Sequence, residues 1–469
     1  MRKLTPEQRA SRMGTDSMWH LMLVMALPAI FGNLGSSMYN IIARLILGQF
    51  VGTASLGAVA VTTPLMNIMA GLSLLITTGG AALLSISLGE GNEEESSRVY
   101  TNMVMTGVIV STTVALCFFF FADGIITVCG ADPTSSLHEG AVIYLKITAF
   151  GLMFQLLQSV LSAVIRAEGN LSYAMWIILA GGIANVILDL VAVVGIQAGI
   201  QGAAWATVIS QAVSTLLGLI YFISKKSLVK WQGMAVVSLK RVLIIAKYGI
   251  APAVLSALNF ITGVLINNTL RIYGDSWAAG GGDLAISAQS VIATAESLCF
   301  TFIWGINQGT SPILSYNYGA KKYDRVIQAA LIGQLLAGIV ATLCWGTMMF
   351  IPDVLFRIFS PDVSLAEFGV HAMRLSKIFV MFAGVQTLSS VLFSSIGDPR
   401  TATLISVVRG GLYLIPCVLI LPRFFGLDGA LFATSLSDLL SGVTIGILYI
   451  LGLRRLSRLK NGEAHTVLT

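Results

Sequence analysis

The chain has 469 residues, of which 56% are hydrophobic and only 11% charged, against roughly 25% charged in an average soluble domain. So few charges cannot cover a water-exposed surface. A soluble enzyme is excluded for most of the length, as is a basic nucleic-acid-binding domain, and the net charge of +6 needs another explanation. Cys117, Cys129, Cys299, Cys344 and Cys417 stand singly in apolar stretches, without the short paired spacings of metal or redox motifs, and read as small packing or lipid-facing residues.

The first segment, MRKLTPEQRASRMGTDS, is polar and mixed in charge. It lacks the apolar core and small-residue cleavage site of a secretory signal, so the first hydrophobic segment is expected to stay as a membrane anchor. A spanning helix needs about 20 predominantly apolar residues, which makes charge-free gaps informative. The gaps Asp16 to Arg44, Arg98 to Asp123, Lys247 to Arg271 and Arg325 to Asp353 each hold one helix. The longer gap from Arg44 to Glu90 holds a helix end, a turn and a second helix. Extended along the chain, this reading predicts about twelve spans, centred near residues 30, 67, 110, 152, 181, 211, 258, 294, 338, 383, 411 and 440.

Lys and Arg in the short flanking loops set the orientation. Twenty fall on the side of the termini, among them Arg98, Arg166, Lys225, Lys226, Lys230, Lys240, Arg241, Lys247 and Arg325. Seven fall on the other side, namely Arg44, Lys146, Arg271, Arg357, Arg374, Lys377 and Arg423, and Arg409 is left inside a span. Both termini are therefore expected in the cytoplasm, and the positive charge reflects orientation.

The sequence also repeats itself. LPAIFGN from Leu27 aligns with APAVLSA from Ala251, placing Pro28 opposite Pro252. Gly79 to Gly89 and the charged stretch after it align with Gly309 to Gly319 and KKYDRV, Gly169 with Gly397, and GIQGAAWAT from Gly199 with GLDGALFAT from Gly426. The offset stays between 224 and 230 residues. This predicts duplication of a six-helix unit, giving an all-α polytopic membrane protein with two lobes related by a pseudo-two-fold axis. The expected lobes are residues 1–224 and 248–469, joined by a basic linker at 225–247. Six is even, so the repeats are parallel, with a substrate cavity between lobes and alternating access by rocking.

At these residues the chain resembles the multidrug and toxic compound extrusion (MATE) family of the MOP superfamily, in particular its DinF-like bacterial branch. The matching pieces are PAIFGNLGSSMYNII, LGEGNEEESSRV, RAEGN leading to NVILD, GIQGAAWATVIS, SPILSYNYGAKKYDRV, SSIGDP and FGLDGALFATSLSD. The resemblance implies twelve helices in two lobes, in a bacterial cytoplasmic membrane. It implies export of small amphipathic, often cationic compounds by antiport against H+ or Na+. A monomer is expected, with no cofactor beyond the coupling ion.

An ionisable group inside a span is costly and is a functional candidate by default. Asp189 lies four residues after Asn185, so both fall on one helical face. A carboxylate beside an amide suits a proton or a small hard cation, and protonation there would displace a cationic substrate. The resemblance adds Tyr39 and Thr207 as companions in an amino-lobe polar cluster, and Pro28 as a kink in the first span. The chain departs from the family at one position: the first span commonly ends its motif on Asp, and here Tyr39-Asn40-Ile41-Ile42 is followed by Ala43. Three accounts stay open: Asp189 suffices, another acid compensates, or coupling is impaired. Glu296 and Asp438 are the compensating candidates. Asp438, which matches a common family position, is expected to pair with Arg409, whereas Glu296 has no evident partner and is a candidate attractor of cationic substrate.

The three glutamates of GEGNEEESSRV are expected to be solvated charges at a helix amino terminus. His20, His138, His371 and His465 form no metal-ligand pattern, and no GxxxxGK[ST] loop is present for ATP. A lipid-linked sugar flippase of the same superfamily is the alternative reading. Its cavity should be strongly basic, and only Arg409 lies squarely within a span. An intramembrane enzyme would need a clustered nucleophile, base or metal set, which the sequence does not offer.

Overall fold

The computed structural model describes residues 5–51, 53–129, 136–224, 226–277, 281–359 and 363–461, and among them there is helix and no strand. Lys225 and His465 lie outside the described residues. The chain divides into two compact units. One comprises the residues up to Asp16, Leu27–Gly249 and Gly319–Lys321; the other comprises Ser17–Ala26, Ile250–Tyr318 and the chain from Lys322 onward.

In the first unit a short helix α1 (Pro6–Met13) precedes the spans. The Thr5 side chain caps it, and Pro6 opens it at a position whose N–H a helix leaves unpaired in any case. The spans are α2 (Met18–Phe50, whose first turns belong to the second unit), α3 (Thr53–Gly89), α4 (Glu93–Phe120), α6 (Ser136–Ala167), α7 (Leu171–Asp189) and α8 (Gly199–Ile223), with a short α5 (Ala122–Val128) between α4 and α6. The second unit is built on α9 (Leu239–Trp277), α10 (Gly281–Gly319), α11 (Tyr323–Phe350), α12 (Pro352–Phe359), α13 (Val363–Ser376), α14 (Ala383–Ser395), α15 (Pro399–Val407) and α16 (Leu414–Lys460). Helix α2 runs through Pro28 and α9 through Pro252 without interruption.

Among the described residues ten helices are long and apolar enough to cross a membrane, and Leu365–Ser376 with Val380–Ser395, bent by 52°, makes an eleventh span. The last of the ten, Pro399–Lys460, has 62 residues. At 1.5 Å per residue that is about three times a 30 Å hydrocarbon core, too long for one crossing. It turns at Gly426, whose φ of 59° and ψ of −136° only a residue without a Cβ adopts readily. Counting that helix as two crossings gives the twelve that the charge gaps predict.

The backbone repeats where the sequence does. Left-handed conformations occur at Gly91 and Lys321, at Gly169 and Gly397, and at Gly199 and Gly426, offsets of 230, 228 and 227 residues. The caps repeat as well: Asn170 accepts from the Tyr173 N–H at 3.3 Å and Asp398 from the Thr401 N–H at 3.2 Å. The duplicated unit is thus written in turns and caps as much as in apolar pattern.

Glu168, in the loop between α6 and α7, organises one end of the first unit. It is only 2% exposed. Its Oε1 accepts from the Ser227 hydroxyl at 2.5 Å and from the backbone N–H groups of Leu228 at 2.9 Å and Val229 at 3.1 Å, and its Oε2 accepts from the Tyr221 hydroxyl at 3.0 Å. Burial pushes this carboxyl up from its ordinary range, and the donated hydrogen bonds pull against that. Arg9 of α1 donates to the Lys226 carbonyl at 2.6 Å and lies 5.8 Å over the Tyr221 ring. Further on, Asn102 accepts from the Ser238 N–H at 2.9 Å, and Arg241 forks onto both oxygens of Glu95 at 3.0 Å. The segment 226–241 is therefore fastened to the first unit. Glu95 is an ion-pair partner rather than a solvated charge, because the connection folds back across it.

Glu168→Ala removes the acceptor for four donors, three of which belong to the 227–229 segment. We expect a loss of roughly 2–3 kcal/mol, within the range for hydrogen bonds to a charged group. Trypsin cleavage at Lys230, Lys240 and Arg241 of the purified protein should accelerate, with Glu168→Gln intermediate. Unchanged cleavage would show that the segment is held by other contacts.

Candidate functional site

The first unit holds an open cavity of about 320 Å³ lined by α2, α3, α6, α7 and α8. Tyr39, Ala43, Asn185, Asp189 and Thr207, singled out in the sequence on three different spans, all lie in its wall. Asn185 and Asp189 are 3% exposed and one helical turn apart on α7, so they present one face. At Asp189 the α-helical ladder gives way to a π-helical stretch, Leu190–Gly195, of the kind that frequently accompanies functional residues.

The electrostatics of this wall are unbalanced. Asp189 Oδ1 is buried and accepts no hydrogen bond, although a carboxylate oxygen normally takes one or more. The Tyr144 hydroxyl, which feels the charges of Asp189 and Arg44, hydrogen-bonds the Thr207 side chain instead. Thr207 itself donates to the Ala203 carbonyl at 3.0 Å. Tyr39 is placed by a close approach of helices: a Cβ added to Gly182 of α7 would sit 2.6 Å from Tyr39 Cδ1. Any side chain at 182 displaces the ring. Ala43 contributes only a methyl group, leaving Asp189 as the one acid among the described residues of the cavity wall.

Sequence reasoning missed several lining residues. Arg44, assigned to a loop by charge counting, lies in the cavity wall because α2 continues to Phe50. Asn67, Tyr144, Gln155 and Gln211 also line it. For Asn67, Gln155 and Gln211 the signal was available, since amide side chains inside apolar spans demand polar company.

The second unit holds the remaining candidates and corrects two expectations. Glu296 on α10 is not partnerless: the Lys377 ammonium lies 2.6 Å from its Oε2. Lys377 is not in an outer loop either; its side chain is 5% exposed and sits at the break between the two arms of the 52° span. Arg409 and Asp438 form no ion pair within 4.0 Å among the described residues. The Arg409 guanidinium lies 5.4 Å over the Phe300 ring, on the π-helical segment Val408–Leu412, and it feels Asp438 at longer range. The Asp438 carbonyl accepts from Gln386 at 3.0 Å, and its carboxylate is flanked by the charges of Lys377 and Arg409. Glu296 is thus neutralised by Lys377, whereas Asp438 makes no ion pair within 4.0 Å with either base among the described residues and remains a candidate for the acid missing at Ala43.

Comparison with known proteins follows the same halves. The MatE family profile matches the chain twice, over residues 28–191 and 260–419. The chain belongs to the MatE family. Among its relatives is the multidrug export protein MepA of Staphylococcus aureus, 26% identical over 435 residues, covering 92% of this chain and 93% of that protein. The MATE multidrug transporter DinF-BH, solved in complex with a dye, superposes with a TM-score of 0.84 at 28% identity, over 93% of this chain and 96% of that one. An outward-facing MATE transporter of the MOP superfamily gives a TM-score of 0.87 at 18% identity, over 98% and 100%. A MATE chain is a multi-pass membrane transporter and not an enzyme, and the polar cavity around Asp189 is to be read in those terms.

Proposed function

We propose that this MATE protein is a secondary multidrug exporter of a bacterial cytoplasmic membrane. It antiports amphipathic compounds against inward H+ or Na+ by alternating access of two six-helix lobes, with both termini cytoplasmic. The observation that supports this most directly is the buried carboxylate of Asp189, with one oxygen unpartnered, in the wall of a cavity large enough for part of a drug-sized molecule. Such a carboxylate binds either an ion or a cationic group, and competition for it couples the two flows. The names of the relatives, multidrug export protein and multidrug transporter, point to the same class of substrate. Asp189 is taken to suffice for coupling, because it is the one acid among the described residues of the cavity wall and Glu296 is already paired with Lys377.

The test is ethidium movement in everted vesicles or proteoliposomes containing the full chain, under imposed proton and sodium gradients in turn. Accumulation driven by one gradient and abolished by its ionophore identifies the ion. No accumulation under either gradient, in vesicles shown to contain folded protein, would contradict the proposal.

A further inference from the structure

The same cavity carries a second charge that coupling does not use. Arg44 lies in its wall with Asp189, and among the described residues no carboxylate ion-pairs with it. Its neighbour Ala43 offers none. Asp189 Oδ1, for its part, is unpartnered. A cation without an ion pair, on the exposed side of the cavity, and a buried under-satisfied anion therefore line one cavity, and their charges sum to zero.

A cavity so built discriminates by charge pattern. A substrate carrying only positive charge gains from the buried Asp189 and is repelled by the guanidinium. A substrate bearing a carboxylate or a similar anionic group meets the forked donors of an arginine, which match planar oxyanions with two parallel hydrogen bonds. Gln155, Gln211 and Asn67 supply neutral donors and acceptors around the two charges, while Leu47, Met66 and Leu152 offer apolar and adaptable surface.

We propose that Arg44 is a specificity-determining residue that makes this cavity a receptor for amphipathic zwitterions, taking the anionic group of the substrate at Arg44 and its cationic group at Asp189. The inference rests on the reading of this cavity as the substrate site, and it narrows the substrate class from cations in general to molecules with an added anionic group.

Rhodamine B and its ethyl ester form a matched pair: the same cationic ring system, with the carboxylate free in one and masked in the other. Binding of each to the purified full chain is read by fluorescence polarisation, for the unmodified protein and for Arg44→Ala. The unmodified protein should bind the free acid more tightly than the ester. Arg44→Ala should weaken the free acid about tenfold, the loss of one charge-assisted contact, and leave the ester unchanged or tighter. Arg44→Lys, which keeps the charge and loses the fork, should fall between. Preference of the unmodified protein for the ester, or an equal shift of both dyes in Arg44→Ala, overturns the proposal. Should Arg44→Ala fail to elute as a monodisperse species, the same comparison with Arg44→Gln decides. If the dyes are discriminated as expected but no gradient moves either, the export reading fails and this one stands. If neither dye binds while ethidium is exported, the reverse holds.

Discussion

Asp189→Asn is expected to reduce gradient-driven drug movement by at least about tenfold while leaving the protein folded and able to bind drug more weakly, since an intramembrane carboxylate that exchanges ions cannot be replaced by its amide. The amide has nearly the same shape and neither releases a proton nor neutralises a sodium ion. Because Asp189 Oδ1 accepts no hydrogen bond, the substitution breaks none there. It also removes the desolvation cost of a buried charge, so the thermal midpoint should rise rather than fall. A transport defect accompanied by higher stability is the signature of a residue kept for function at the expense of the fold. A variant that loses transport and stability together would mark Asp189 as structural instead. Ala43→Asp adds a second acid to the same wall and should not be required for transport.

The second large effect is on stability. Lys377→Met leaves the Glu296 carboxylate without the ammonium 2.6 Å away, and Asp438 without one of its two flanking cations. Breaking a buried pair by removing one partner costs roughly 3–5 kcal/mol, and Lys377 is buried enough for that range to apply. Glu296 is 26% exposed at its side chain, so Glu296→Met should cost less. Replacing both, as Lys377→Met with Glu296→Met, should recover much of the loss, because two apolar side chains of similar volume need no mutual neutralisation. Thermal unfolding of the four proteins in detergent reads the cycle. Additive losses would show that the two side chains do not act as a pair.

Much of the architecture is legible in the sequence because a bilayer imposes simple rules. Charge-free gaps of about 20 residues become spans, and a repeat at nearly constant offset becomes two similar units. The gathering of Tyr39, Ala43, Asn185, Asp189 and Thr207 around one cavity follows from family motifs and the four-residue spacing on α7. Charge counting fails at Arg44 and Lys377 for one physical reason. It places both between spans, yet α2 continues past Arg44 and the span holding Lys377 is broken at that residue. Irregular backbone inside a membrane protein shelters polar side chains that hydropathy assigns to water. Arg409 is recognisable as intramembrane, but its expected pairing with Asp438 assumes that the nearest opposite charge is always chosen. The ring of Phe300 serves it instead, and Lys377 takes the acid that looks free in the sequence. The fastening of residues 226–241 by Glu168, Asn102 and Glu95 has no periodic signature, since it consists of single side chains reaching a distant connection.

Coupling of ion and drug through one carboxylate is read from ethidium binding to the purified protein across pH, with and without sodium. Competition by a single ion is expected, with a Hill slope of about one, and it should disappear in Asp189→Asn, which retains weaker binding through the rest of the cavity. A slope near two, or competition that persists unchanged in Asp189→Asn, would place the coupling elsewhere.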